Sequence, residues 1–176
     1  MTQEKTTAVI EQVNDQLEIG RNEDVGEQYL TFFMNKEEFG IDILSVQEIR
    51  GWEPVTAIPN SPDQVLGVMN LRGTVAPVID LRMCFGLERI AYNDETVVII
   101  LTMSTDTGSK IMGIVVDAVS DVHKFDTASI QPSPQFSHED QAHYIKGLGS
   151  TDEQMVILLD LTEQLIAPMT TLPVGT

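Results

Sequence analysis

The chain repeats itself, and that repetition limits its fold more than any other feature. Phe39-Gly40-Ile41-Asp42-Ile43-Leu44-Ser45-Val46-Gln47-Glu48-Ile49 lies over Met112-Gly113-Ile114-Val115-Val116-Asp117-Ala118-Val119-Ser120-Asp121-Val122, with Gly40 against Gly113. The shared pattern is apolar-Gly-Ile-x-apolar-x-x-Val-x-acid-apolar. Further on, Val65-Leu66-Gly67-Val68 lies over Ile145-Lys146-Gly147-Leu148, and Val75–Leu81 lies over Met155–Leu161, now with Gly67 against Gly147. A longer middle loop around 132–143 absorbs the change of offset. Three matching segments in one order mark a tandem duplication.

Each copy is written in strands. Tyr29–Met34 is apolar and β-prone, Asn35–Glu38 is a turn, and Phe39–Ile43 alternates apolar and polar residues, a hairpin signal. Val46–Arg50 continues the alternation, and Pro54, Pro59 and Pro62 punctuate the loop beyond it. Val65–Leu71, a turn at Arg72-Gly73-Thr74 and Val75–Leu81 follow; Pro77 predicts an edge or a bulge, because proline cannot donate to a ladder. Thr96–Leu101, a turn at 105–109 and Ile111–Val116 open the second half. About five short strands per copy protect their edges by curling into a small barrel, which predicts an all-β chain of two such units. Each unit is marginal alone and gains by burying apolar surface against the other. The first unit is expected mainly over 28–90 and the second mainly over 94–166, with exchange of strands between them left open, and short helices are expected at Ser61–Val65, Ser137–Ala142 and Thr162–Ala167. Residues 1–27 are acidic and read as a flexible tail; the alternative is a short amphipathic helix striped by Val9, Val13 and Leu17. Residues 167–176 form a C-terminal tail.

Charge removes whole classes of partner. With 27 acidic residues against 10 basic ones the net charge is -17. Nucleic acid requires clustered Lys and Arg to displace counterions, and anionic membrane surfaces are disfavoured for the same reason. No apolar run approaches the roughly 18 residues that span a bilayer, so direct membrane insertion is not expected. The opening stretch carries neither the basic nor the apolar region of a secretory leader, and a lone Cys84 forms no internal disulfide. A reducing, cytoplasmic location fits.

Chemistry is sparse. His138 and His143 flank Glu139 and Asp140, but a spacing of five sets two imidazoles about 500° apart on a helix, off one face. Cys84 has Arg82 near it but no histidine base, and suits a small buried hydrophobe. Gly147-Leu148-Gly149-Ser150 lacks the lysine and helix of a phosphate loop. Asp80 and Asp160 recur at matching positions, which favours a turn or capping role. No catalytic set, metal site or cofactor is expected. Arg72 stands apart: the second copy has no basic residue at the matching turn. An arginine in a turn is ordinarily solvated; Glu48, on a strand of the same unit, is a carboxylate it could instead meet.

Val46-Gln47-Glu48-Ile49-Arg50-Gly51-Trp52, Ile58-Pro59-Asn60-Ser61-Pro62, Gly67-Val68-Met69-Asn70-Leu71-Arg72-Gly73 and Pro77-Val78-Ile79-Asp80-Leu81-Arg82 together resemble the CheW-type coupling proteins of bacterial chemotaxis. The resemblance covers roughly residues 28–166. It implies two intertwined five-stranded SH3-like β-barrels with a hydrophobic seam between them. It also implies a non-enzymatic adaptor that joins the cytoplasmic tips of chemoreceptors to the regulatory domain of the histidine kinase CheA. Such an adaptor is a monomer alone and part of a large membrane-associated array, in which kinase domain and adaptor alternate. Arg72 matches the family's turn arginine, within Asn70-Leu71-Arg72-Gly73, and Glu48 the acidic residue associated with it. Val46 and Gly67 match positions near the receptor and kinase contacts. The resemblance further suggests an apolar groove at the barrel junction, lined by Val46, Ile49, Leu71, Val97 and Val119, that accepts the receptor's helical tip. Rival readings are the adaptor part of a CheV-type protein, a generic SH3-like binder of proline-rich peptides, and a small acidic hydrolase, for which no converging side chains are found.

Overall fold

In a computed structural model, which describes residues 2–20, 28–105, 108–132 and 145–161, the two copies share their strands. Helix α1 (Thr2–Gly20) precedes β1 (Gln28–Met34), β2 (Glu37–Asp42), β3 (Val46–Gly51), β4 (Val65–Leu71) and β5 (Thr74–Asp80). A single-turn helix α2 (Leu81–Cys84) leads to β6 (Val97–Thr105), β7 (Gly108–Val116), β8 (Ala118–Lys124), β9 (Ile145–Ser150) and β10 (Met155–Leu159). One sheet runs β8-β1-β2-β10-β9 and the other β3-β6-β7-β5-β4. Exchanging each strand for its repeat counterpart turns one order into the other.

Each sheet therefore takes the opening hairpin of one half and the last three strands of the other. Of the arrangements left open, the sheets take the one in which strands are exchanged between 28–90 and 94–166. The reason is local: after β2 a 3-10 turn at Ile43–Ser45, capped by Asp42, redirects the chain so that β3 pairs with β6 rather than with its own hairpin. Strand pairing does not close either sheet into a barrel among the described residues. Isolated bridges fasten a loop residue to each outer strand instead, Thr56 to Val68 and Gln131 to Leu148.

The repeat's glycines mark the close approaches. In the parallel pairings Gly40 lies opposite Leu158 and Gly113 opposite Val78, which are equivalent partners. A Cβ on Gly113 would stand 2.9 Å from Val98 Cγ1. At Gly67 (φ +151°) a Cβ would stand 2.1 Å from Thr56 O, and at Gly147 it would stand 2.7 Å from Gln131 O. Those two glycines admit the bridging loop residues. Pro77 precedes the stretch Val78–Asp80 over which β5 pairs with β7, so at Pro77 itself β5 is paired with β4 alone.

The main core lies between the sheets. Leu30, Phe32, Ile41, Ile99 and Ile114 are buried in it. The outer face of each sheet carries a smaller cluster of its own, around Val78, Val98 and Ile100 in one and Tyr29, Phe125 and Leu158 in the other. β6 is thus buried on both faces, which is why Val97–Leu101 is apolar without alternation. The stretch expected as a flexible tail is helical over Thr2–Gly20, with Val13 and Leu17 in the main core. Its i, i+4, i+8 stripe prevails over its acidic composition because the sheets leave it a surface to pack on. The short helix expected at Ser61–Val65 is a turn, closed by Val65 N–H donating to Pro62 O (2.9 Å). The helices expected at Ser137–Ala142 and Thr162–Ala167, and the tail 167–176, lie outside the described residues.

Candidate functional site

The β4–β5 hairpin turns on two residues, Arg72 and Gly73, both with positive φ (+52° and +92°). That is the geometry whose twist matches a two-residue hairpin. Asn70 Oδ1 accepts the Gly73 N–H at 2.8 Å and fixes the turn. Gly73 meets the steric demand without cost, whereas Arg72 is held there by its neighbours. Its side chain is 89% exposed and its Nη2 stands 3.8 Å from Glu48 Oε2. Glu48 lies on β3 and Arg72 at the end of β4, the two edges of one sheet, so the sheet curls far enough to bring its edges together. At 3.8 Å the contact is an ion pair without a hydrogen bond, worth about 0–1 kcal/mol in water. The guanidinium remains available to a partner.

The expected groove is not open. Val46 and Ile49 are each 2% exposed, Val97 is 0% and Leu71 is 6%. Val46, Ile49 and Val97 point into the core between the sheets and Val119 packs against it, whereas Leu71 belongs to the separate cluster on the outer face of its sheet. Five residues expected on one lining are divided between two cores. Gly67, placed near the contacts by resemblance, is buried main chain whose missing side chain admits Thr56. Asn70, Arg72 and Gly73 are exposed at the hairpin tip. Sequence reasoning overlooked Val75, 63% exposed, which pairs with Asn70 on the neighbouring strand. Its run Val75–Ile79 reads as uniformly apolar and carries no alternation to betray the exposed face.

A second charge pair was also overlooked. Arg82 Nη1 donates to Asp117 Oδ2 at 2.6 Å, Arg82 Nε donates to Glu88 O at 2.9 Å, and the arginine side chain is 8% exposed. Asp80 caps α2, accepting the Arg82 N–H (3.0 Å) and the Tyr92 hydroxyl (2.7 Å), in keeping with the capping role read from its recurrence. Burial, then that hydrogen bond and the charge of Asp80, pushes the Tyr92 hydroxyl above its ordinary range. Burial, with Asp80 adding to it, pushes the Cys84 thiol up to about 12, so the thiolate needed for nucleophilic attack does not form near neutrality. Among the described residues no three His, Cys, Asp or Glu side chains gather to hold a metal. His138 and His143 lie outside those residues.

Comparison with known proteins gives a consistent result. Residues 28–167 match the CheW-like domain. The chain is 46% identical over 143 residues to the chemotaxis protein CheW of Klebsiella aerogenes, covering 81% of this chain and 84% of that one. It is 37% identical over 134 residues to a probable chemotaxis protein CheW of Rhizobium etli, covering 76% and 84%. Among solved structures it is similar to the scaffolding protein TtCheW of Thermoanaerobacter tengcongensis, with a TM-score of 0.71 and 31% identity over 78% of this chain and 91% of that one.

Proposed function

This chain belongs to the CheW-like domain family of non-enzymatic chemotaxis scaffolds, and on that premise we propose that it couples the cytoplasmic tips of chemoreceptors to the regulatory domain of the histidine kinase CheA. The observation that carries the reading is the Arg72 hairpin. A guanidinium is held on a rigid two-residue turn, almost fully exposed, and only loosely engaged by Glu48. Arginine offers a planar fork of donors suited to a carboxylate, and exposed Val75 beside it supplies apolar area, the combination from which interface anchors are made. On a chain of net charge -17 an outward arginine is a local exception, fit to give register to a partner. Among the described residues Trp52 and Tyr92 pack on each other with ring centroids 4.3 Å apart.

Co-sedimentation with receptor cytoplasmic fragments and the kinase tests this. Wild-type protein is expected in the pellet with both partners, and Arg72→Glu is expected to lose a partner while keeping the wild-type urea midpoint. Full recovery of both partners by Arg72→Glu would remove the hairpin from the interface. Recovery of neither by the wild type would end the coupling function.

A further inference from the structure

Helix α1 does not lie against the sheets at random: it packs on β3 and β8, which are equivalent strands in the repeat and the edge strands of the two different sheets. An edge strand presents unpaired main-chain groups. α1 meets that demand with one side chain. Asn14 Nδ2 donates to Ile49 O (3.3 Å), and Ile49 N–H donates to Asn14 Oδ1 (3.1 Å). One amide thus supplies both halves of a strand rung from a helix. Beside it, Val13 and Leu17, one helical turn apart, enter the core between the sheets, with Val9 and Ile10 packed against its margin. Glu11 and Asp15 face solvent. The groove that resemblance led us to expect is lined in part by Val46, Ile49 and Val119, residues of these same two strands.

We propose that α1 is an intramolecular occupant of a helix-accepting seam between β3 and β8, and that an incoming receptor helix displaces it. This rests on the coupling function proposed above. It adds the recognition chemistry: the incoming helix presents two aliphatic residues one turn apart and an Asn or Gln beside the first, to take over the Ile49 main chain. A seam that must first be vacated binds with an affinity reduced by the fraction of time it stands open. α1 is therefore a built-in competitor that sets the threshold for receptor engagement.

The full-length chain provides its own reporter. Trp52, the single tryptophan, lines a cleft with Thr6, Thr7 and Ile10 of α1. The test compares wild type, Asn14→Ala and the double variant Val13→Asp/Leu17→Asp by co-sedimentation titration with a receptor cytoplasmic fragment, with kinase recovery as the check on folding. We expect receptor affinity to rise roughly tenfold in the double variant and less in Asn14→Ala, with kinase recovery unchanged. Wild-type Trp52 emission is expected to move towards that of the double variant as receptor fragment is added. If the double variant loses both partners through misfolding, Asn14→Ala decides. Wild type that binds receptor while the folded variants bind no tighter overturns the proposal alone. Wild type that binds no receptor removes the coupling function and this proposal with it.

Discussion

Asp117 Oδ2 stands 2.6 Å from Arg82 Nη1 and accepts the Asn35 N–H at 2.9 Å as well. One carboxylate at the β7–β8 junction thereby holds α2 and the β1–β2 turn, joining both halves of the repeat. Replacing Asp117 by Ala leaves a nearly buried guanidinium without its counter-charge. The expected loss is about 2–4 kcal/mol, near the lower end for buried pairs because Asp117 keeps some access to water. Arg72→Ala, by contrast, is expected to cost no more than about 0.5 kcal/mol, since its ion pair is long and exposed. Urea denaturation of both variants checks the ranking, and equal losses would contradict it.

The repeat was legible in the sequence because its glycines and acids answer to geometry that both halves share. Gly40 and Gly113 make room for a parallel neighbour, and Gly67 and Gly147 for a crossing loop. What the repeat does not encode is which half supplies that neighbour. Gly40 receives Leu158 and Gly113 receives Val78, each from a strand distant in sequence, and either assignment satisfies the same pattern. Exchange of the hairpins is therefore a tertiary fact. The groove residues meet the same limit. Val46, Ile49, Leu71 and Val97 are aliphatic in a β pattern, which announces burial without saying which of three cores receives them. The Arg72 turn, fixed by four consecutive residues, was readable locally.

Glycine positions in the β4–β5 hairpin separate two kinds of strain. Gly73→Ala meets open space and bears only the conformational penalty of positive φ, about 1 kcal/mol. Gly67→Ala adds a Cβ 2.1 Å from Thr56 O, so the Thr56–Val68 bridge must open, with the loss of its two hydrogen bonds (3.0 and 2.8 Å). A loss above about 2 kcal/mol is expected, since the loss of two main-chain hydrogen bonds and a strained φ combine. Substitution at Gly67 is therefore a folding lesion, and a binding defect there says nothing about contact. Chemical denaturation decides this: a Gly67→Ala midpoint equal to that of Gly73→Ala would contradict the crossing geometry.

Alkaline pH reaches the fold through Cys84 and Tyr92. In the folded chain the Cys84 thiol is raised from an ordinary 9.0 to about 12, and the Tyr92 hydroxyl is also raised, in both cases chiefly by burial. A raised value means that the folded state holds the proton more tightly than the unfolded chain does. The stabilisation is fully present below about pH 9, where both states keep the proton, and it is lost progressively as pH rises towards about 12. The urea midpoint is expected to stay level from pH 7 to about 8.5 and then fall, with Cys84→Ala blunting the fall. The same burial predicts that a thiol reagent at pH 8 modifies Cys84 slowly in the folded protein and rapidly in denaturant. Reaction of the folded protein at the rate of a free thiol would show that Cys84 ionises in contact with solvent, and the alkaline destabilisation would then have to come from Tyr92 alone.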